Sequence, residues 1–314
     1  MDRFLDKRAQ GSPVALVVGT MNFGKRTPEP EARRIVDRAL ERGLDFFDTA
    51  NVYNGGESER ILGRALKGKK ARIATKMGIG RMGEPEGLAP ERIAAAIDES
   101  LSRLDVERVD LYYFHKPDHS RPLEPSVRAM EKLVQQGKVA AFGVSNFASW
   151  QILEMMGLNS VRPRVSQVMY NLLVRQLEIE YFKFTAAHPI HTTVYNPLAG
   201  GLLAGKLERG AAPPKGSRFD HNAQYQDRYL TDRFFELAEA FAALAAQAGR
   251  TPVELAYQWV GSRPGVDSIL LGPASIDQLD AAIEAVAKPL PADVAERADQ
   301  LHRDFQGTDA VYAR

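Results

Sequence analysis

Four side chains with acid–base or charge chemistry stand at or just beyond the ends of consecutive hydrophobic runs. Phe46-Phe47-Asp48-Thr49-Ala50 closes one run and leads to Tyr53, Thr75-Lys76 closes the next, and Phe114-His115 closes a third. A phenol is a poor acid at neutral pH, with a reference pKa of about 10. A nearby ammonium favours the phenolate and lowers that value. A carboxylate beside the ammonium keeps it charged and in place, and an imidazole can orient a substrate oxygen. The set therefore predicts a proton donor, Tyr53, tuned by Lys76, with Asp48 steadying the lysine and His115 at the substrate oxygen. That arrangement suits protonation of a carbonyl oxygen while hydride reaches the carbon. Each residue alone has an ordinary explanation: Asp48 as a helix cap, Tyr53 as packing, Lys76 as surface charge, His115 as a satisfied structural group. Their placement at three successive run ends makes the ordinary explanations harder to sustain together.

The four can meet only if the runs are parallel strands opening on one side. Short β-branched or aromatic runs at 14–18, 44–48, 71–76, 109–115, 139–144, 165–170, 191–195 and 266–271 read as strands. Helical periodicity alternates with them at 30–42, 58–67, from Pro90 onward, 124–136, 150–156, 177–187 and 276–287. Further helices read at 232–248, 252–262 and 292–305, and several helices stop at glycine, as at Gly43, Gly68 and Gly137. Strict alternation means parallel strands joined by crossover helices. Eight such units predict one α/β domain over residues 1–314, a (β/α)8 TIM barrel with an extra C-terminal helix and a long loop after the seventh strand. The rival, an open doubly wound sheet, lacks its usual sign here, because no Gly-x-Gly-x-x-Gly follows any strand. In such a barrel, chemistry gathers at the C-terminal ends of the strands.

Composition narrows the function classes. Lys and Arg number 41 against 40 Asp and Glu, a formal charge of +1, so no electrostatic argument favours nucleic acid or an anionic membrane as partner. The short basic run Lys67-Gly68-Lys69-Lys70-Ala71-Arg72 reads as a solvated turn. With no cysteine, disulfides, thiolate catalysis and cysteine-ligated metals are excluded. No run is apolar over the ~18 residues a membrane span needs, and the N-terminus has no apolar signal region, so a cytoplasmic protein is expected. His115 with His119, and His188 with His191, have ligand-like spacing, but Pro117 and Pro189 break the helix each pair would need, so no metal site is expected.

The strings around these residues resemble the aldo-keto reductase superfamily. Matching stretches run from Phe46 to Tyr53 with Gly56-Glu57-Ser58-Glu59, then Ile73 to Lys76, Leu111 to His115, Phe142-Gly143-Val144-Ser145-Asn146, Ser166 to Asn171, and Tyr195-Asn196-Pro197-Leu198. They follow the family order over nearly the whole chain. His115-Lys116-Pro117-Asp118-His119, Asn146 to Trp150, Asn196 to Lys206, Arg218-Phe219, Tyr225 with Arg228, and Tyr312 with Arg314 resemble its aflatoxin-aldehyde and succinic-semialdehyde reductase branch.

The resemblance implies a catalytic tetrad of Asp48, Tyr53, Lys76 and His115, and an extended NADPH cofactor, with NADH the lesser expectation. It implies that Ser145, Asn146 and Gln167 hold the carboxamide and that Tyr195 stacks on the nicotinamide. Cofactor contact continues through Asn196, Pro197, Leu198 and Gly200. The long segment from Gly200 becomes a cover, with Lys206 and Arg218 supplying positive charge to the pyrophosphate. At the adenosine end stand Gly272, Ser275 and Gln278, where free N–H groups at a helix start suit a phosphate. Ala274 and Ala282 depart there from the Arg or Lys and the Asn that many members carry.

The substrate implied is a small carbonyl compound, including aldehydes with a distal carboxylate. Arg228 and Arg314 are candidates for that carboxylate, because a guanidinium fork matches its two oxygens. Tyr225, Met21 and Val52 would line the pocket, Val52 standing where the branch usually has Met. Oligomeric state is left open, with a homodimer as one expectation. Two other readings stay open: a Schiff-base aldolase using Lys76, and a nucleotide-binding regulatory subunit like those of potassium channels.

Overall fold

A computed structural model describes residues 4, 5, 9, 11–80 and 84–307. Strand β1 (Ala15–Gly19) is followed by α1 (Glu29–Glu41), β2 (Phe46–Asp48), α2 (Glu57–Leu66), β3 (Arg72–Met77), α3 (Pro90–Leu104), β4 (Leu111–Phe114) and α4 (Leu123–Gln135). Then come β5 (Phe142–Ser145), α5 (Ser149–Gly157), β6 (Val165–Met169), α6 (Tyr181–Ala187) and β7 (His191–Tyr195). The chain continues through α7 (Ala223–Tyr229), α8 (Asp232–Gln247), α9 (Pro252–Ser262), β8 (Ser268–Leu271), α10 (Ile276–Ala287) and α11 (Ala292–Gln306). The strands close a barrel in the order β1 to β8, each parallel to its neighbours, with β8 returning to β1. The predicted (β/α)8 barrel with an added C-terminal helix is the observed fold.

Alternation along the strands divides the core in two. Val17, Phe46, Ala74, Leu111, Tyr113, Ala141 and Val165 pack with Leu5 in one cluster inside the ring. Val18, Phe47, Met77, Tyr112, Phe114, Phe142, Val144 and Ile269 face outward and pack against the helices in the larger cluster. This parity makes the site. Asp48 is two residues beyond inward Phe46, Lys76 two beyond Ala74, and His115 two beyond Tyr113, so all three point into the barrel at its C-terminal end.

The long loop expected after β7 carries short elements of its own. It holds a tight turn at Ala199–Ala204 and the seven-residue helix α7. Asn222 caps α7 by accepting from the Tyr225 N–H, and Tyr229 is buried beneath it. One cap and one apolar contact leave too weak a periodic signal to read in a polar stretch. The helix α11 is anchored by Asp299, which accepts from Trp259 Nε1 at 3.1 Å and from Arg263 Nη1 at 2.9 Å.

Candidate active site

Lys76 and Asp48 form the floor of the barrel mouth, 0% and 1% exposed. Lys76 Nζ donates to Asp48 Oδ1 and, at 2.8 Å, to the Thr49 carbonyl. Asp48 Oδ2 accepts from Gln167 Nε2 at 2.9 Å. A buried carboxylate and ammonium need this kind of mutual satisfaction, since either charge alone costs several kcal/mol. Tyr53 opens the turn after β2. Asn54, with φ of 52°, locks that turn by donating to the carbonyls of Phe23 (2.6 Å) and Met21 (3.2 Å). The Lys76 ammonium lies 5.2 Å from the Tyr53 ring centroid, and the His115 ring meets the Tyr53 ring edge-on at 5.7 Å. The four predicted residues are together.

Burial dominates their electrostatics. It pushes the Asp48 carboxyl up, against the charge of Lys76 and the hydrogen bonds from Lys76 and Gln167. It pushes the Lys76 ammonium down, against the charge of Asp48. His115 falls well below its ordinary value through burial, then through the charges of Lys76 and Lys116, so its ring is neutral at pH 7. Tyr53 is raised by burial, then by the charges of Asp48 and Tyr225, with Arg218 opposing. The sequence predicts the opposite direction for Tyr53. The difference arises because Lys76 directs its charge at Asp48 and the Thr49 carbonyl, leaving burial to govern the phenol. Tyr53 is therefore a neutral hydroxyl that can donate.

Polar residues at the ends of β5, β6 and β7 adjoin this floor. Ser145 pairs in register with Gln167 across β5 and β6. Asn146, with φ of 63°, donates to the His115 carbonyl and to Ser145 Oγ, both at 3.0 Å, and accepts from the Tyr195 hydroxyl at 2.7 Å. Two amides, a hydroxyl and an aromatic ring thus gather at the strand ends next to His115.

Asn196 follows β7 and its side chain is engaged in the turn there. Its Nδ2 donates to the Tyr229 hydroxyl and its Oδ1 accepts from the Gly200 N–H, both at 2.6 Å, so it builds the turn entered through Pro197 and Leu198. Gly200 is required there: its φ is +71° and a Cβ would lie 2.9 Å from the Tyr225 ring.

The cover is tied across the mouth through Asn22 and Arg26, two residues not singled out from the sequence. Arg218 donates to Asn22 Oδ1 at 2.8 Å and reaches Met21 Sδ at 2.9 Å, while Arg26 Nε donates to the Gly216 carbonyl at 2.8 Å. Asn22 also donates to the carbonyls of Gly272 (3.1 Å) and Pro273 (3.2 Å), joining the loops after β1, β7 and β8. Its signal was its place just past a strand end. Lys206 is exposed on the same segment.

The opening of α10 corrects the expectation of free amides. Ser275 Oγ accepts from the Gln278 N–H (3.3 Å), Gln278 Oε1 from the Ala274 N–H (2.9 Å), and the carboxylate of Glu31 from the Ile276 N–H (3.3 Å). Side chains of the protein, one of them anionic, already answer these donors.

Of the substrate candidates, Tyr225 has the guanidiniums of Arg218 and Arg228 each 5.6 Å from its ring centroid. Met21 is 41% exposed and Val52 is half-buried beside Tyr53. Arg314 and Tyr312 lie outside the described residues. A cavity of about 950 Å³, lined by Phe4, Leu153, Met156, Phe182 and His188, contains none of the tetrad. The chemistry instead sits at the C-terminal ends of the strands, as barrels of this kind dictate. Among the described residues no three His, Cys, Asp or Glu side chains group as a metal would need, and no helix is long and apolar enough to cross a membrane.

Residues 15–303 match the profile of the Aldo/keto reductase family. The chain belongs to this family. Aflatoxin B1 aldehyde reductase member 2 of Mus musculus is 35% identical over 94% of this chain and 86% of its own length. A probable voltage-gated potassium channel subunit beta of Arabidopsis thaliana is 34% identical over 85% of each. Among solved structures, glycerol dehydrogenase from Gluconobacter oxydans superposes with a TM-score of 0.79 at 29% identity, covering 96% of both chains. Family membership makes the chain one of the oxidoreductases that act on carbonyl groups, and the aldehyde reductases agree with the branch its motifs resemble.

Proposed function

We propose that this protein reduces aldehydes and ketones to alcohols with NADPH, Tyr53 giving the proton to the carbonyl oxygen. The observation that carries the reading is the buried Asp48–Lys76 pair beside the Tyr53 ring, with neutral His115 edge-on to the same ring at the barrel mouth. The nicotinamide, when bound, supplies the hydride. Ser145, Asn146 and Gln167 would hold its carboxamide, Tyr195 its ring face, and Arg218 with Lys206 its phosphates. The neutral imidazole of His115 donates a hydrogen bond that orients the substrate oxygen. Tyr53 donates to that oxygen as negative charge develops on it. The Lys76 ammonium, 5.2 Å from the Tyr53 ring centroid, stabilises the tyrosinate left behind by its charge. Asp48 holds the ammonium in place.

NADPH is favoured by the positive charge of the cover. Glu31 at the opening of α10 works against a 2′-phosphate there, so its margin over NADH is narrow. Arg228, with Arg314, would take a distal carboxylate on the substrate. The cytoplasm is the proposed compartment.

The test is oxidation of NADPH and of NADH against 2-nitrobenzaldehyde, succinic semialdehyde, methylglyoxal and a ketosteroid. Steady turnover of the aldehydes supports the reading. The likeness to a potassium channel subunit favours a second reading, a nucleotide-binding regulatory protein. Tight cofactor binding without turnover, with recovery of a membrane partner, would replace the first reading by the second.

A further inference from the structure

The first turn of α2 carries two polar side chains that the reaction scheme leaves unused, Ser58 and Glu59, both 0% exposed. The helix follows directly on the turn Tyr53–Gly56, so the proton donor stands on its lead-in. Consecutive helical residues point in different directions, and these two reach different strands.

Ser58 holds the ends of β1 and β2. Its Oγ donates to the Thr20 carbonyl at 2.8 Å and lies 2.8 Å from Thr20 Oγ1 and 2.9 Å from Thr49 Oγ1. A hydroxyl has one proton to give. With that proton on the Thr20 carbonyl, Ser58 accepts from the two threonines. Thr20 Oγ1 also stands 3.1 Å from the Asp48 carbonyl. The stretch Asp48–Thr49 supplies the acceptors of Lys76, the Asp48 carboxylate and the Thr49 carbonyl. One buried hydroxyl therefore grips the segment on which the lysine is seated.

Glu59 holds β3. Its Oε1 accepts from Thr75 Oγ1 and its Oε2 from Arg103 Nε of α3, both at 2.5 Å. Thr75 adjoins Lys76. The arginine passes close over Gly56, where the φ is +86° and a Cβ would lie 2.7 Å from Arg103 Cδ. A buried ion pair adds little net stability, because desolvation offsets its attraction. What Glu59 does supply is a fixed seat for the residue beside Lys76.

We infer that Ser58 and Glu59 are positioning residues for carbonyl reduction: from one helix start they fix the strand ends bearing Asp48 and Lys76 relative to Tyr53 on the lead-in to the same helix. Backbone pairing alone does not do this. It continues to Asn51, whose N–H donates to the Lys76 carbonyl at 3.0 Å, and stops short of Tyr53, whose N–H turns back to the Ala50 carbonyl. Asn54 ties the turn to the loop after β1. Ser58 and Glu59 tie its far end to β2 and β3. The inference rests on the reductase reading, which makes Tyr53 the proton donor.

Ser58→Ala removes the hydroxyl. Thr75→Val removes a donor to Glu59 and leaves that carboxylate paired with Arg103. Both are compared with the unaltered protein in single-turnover reduction of saturating 2-nitrobenzaldehyde by NADPH, alongside the Kd for NADP+ and the KM for the aldehyde. The step is expected to slow about tenfold in each, since a misplacement of about 1 Å costs roughly 100-fold and a lost brace permits part of it. Kd and KM should stay within about twofold, the mark of an effect confined to the transition state. Leu62→Ala is the control: Leu62 is buried on the same helix in the outer apolar core, so the change loosens packing and removes no hydrogen bond. It should lower the melting temperature at least as far and leave the rate unchanged where all the proteins are folded; Ala65→Gly replaces it should it not fold. Slowing in the control equal to that in the other two would mark a merely structural role and overturn the inference. Unaltered rates in both Ser58→Ala and Thr75→Val would do the same, and should one of them not fold the other carries the comparison. An unaltered protein that consumes no NADPH with any aldehyde would remove the reductase reading and this inference together. Full turnover in every one of the proteins would remove the inference alone.

Discussion

Replacing Lys76 by methionine keeps most of the side-chain volume and strips Asp48 of its counter-ion. The carboxylate is 1% exposed, and its remaining hydrogen-bond donor is Gln167 Nε2 at 2.9 Å. Breaking a buried ion pair by removing one partner costs about 3–5 kcal/mol, because a charge is left uncompensated. At roughly 2 °C per kcal/mol for a chain of this size, the melting temperature at pH 7 should fall by about 6–10 °C. The loss should depend on pH. Burial already pushes the Asp48 carboxyl up with Lys76 present, and removing the opposing ammonium raises it further. A carboxyl raised in the folded state above its unfolded value of about 3.9 favours folding when protonated. Its contribution is fully present below that unfolded value and disappears as pH climbs through the folded one. Lys76→Met should therefore lose stability relative to the unaltered protein as pH rises from about 4 to 8, measured by circular dichroism melts in matched buffers. Adding Asp48→Asn should recover much of the loss, since no buried charge then remains. A melting temperature within a degree or two of the unaltered protein, or a deficit that shrinks as pH rises, would refute the reasoning.

Three further outcomes follow from the site. Because His115 is held well below its ordinary value, the pH profile of kcat for reduction should show no break near 6.5 from this ring; a break there that His115→Ala removes would contradict it. Glu31→Gln removes a negative charge from the opening of α10 and should shift the NADPH-to-NADH ratio of kcat/KM toward NADPH by about tenfold, the equivalent of about 1.4 kcal/mol; an unmoved ratio would remove Glu31 from cofactor choice. Arg228→Ala should raise the KM for succinic semialdehyde by about tenfold, the scale of a lost charged hydrogen bond, and spare 2-nitrobenzaldehyde; equal effects on both would end the carboxylate-clamp idea.

Much of this was readable in the sequence, and the reason is parity. Short strands such as Phe46–Asp48 and Arg72–Met77 carry a polar residue at the last inward position, so Asp48 and Lys76 announce themselves where the inward apolar row stops. Further down β4, inward Tyr113 reads as packing, and the room that Gly143 leaves for its ring is visible only in the structure. The capped opening of α10 was hidden for another reason. Glu31 lies on α1, about 245 residues from the Ile276 N–H it meets, and no local pattern records such a contact. The part of Asn196 in the turn after β7 was hidden because an asparagine at a strand end serves a ligand or a turn equally well by type. Its contacts with Gly200 and Tyr229 are visible only in the structure. The direction of the Tyr53 shift needed the depth of burial, which residue spacing does not supply.

The most direct measurement is single-turnover consumption of NADPH by Tyr53→Phe with a saturating aldehyde, alongside its cofactor affinity. Removing the proton donor should slow the step at least 100-fold, the low end of what general acid catalysis contributes, while cofactor affinity stays within a factor of two. A phenylalanine protein that oxidised NADPH as fast as the unaltered one would contradict the central claim.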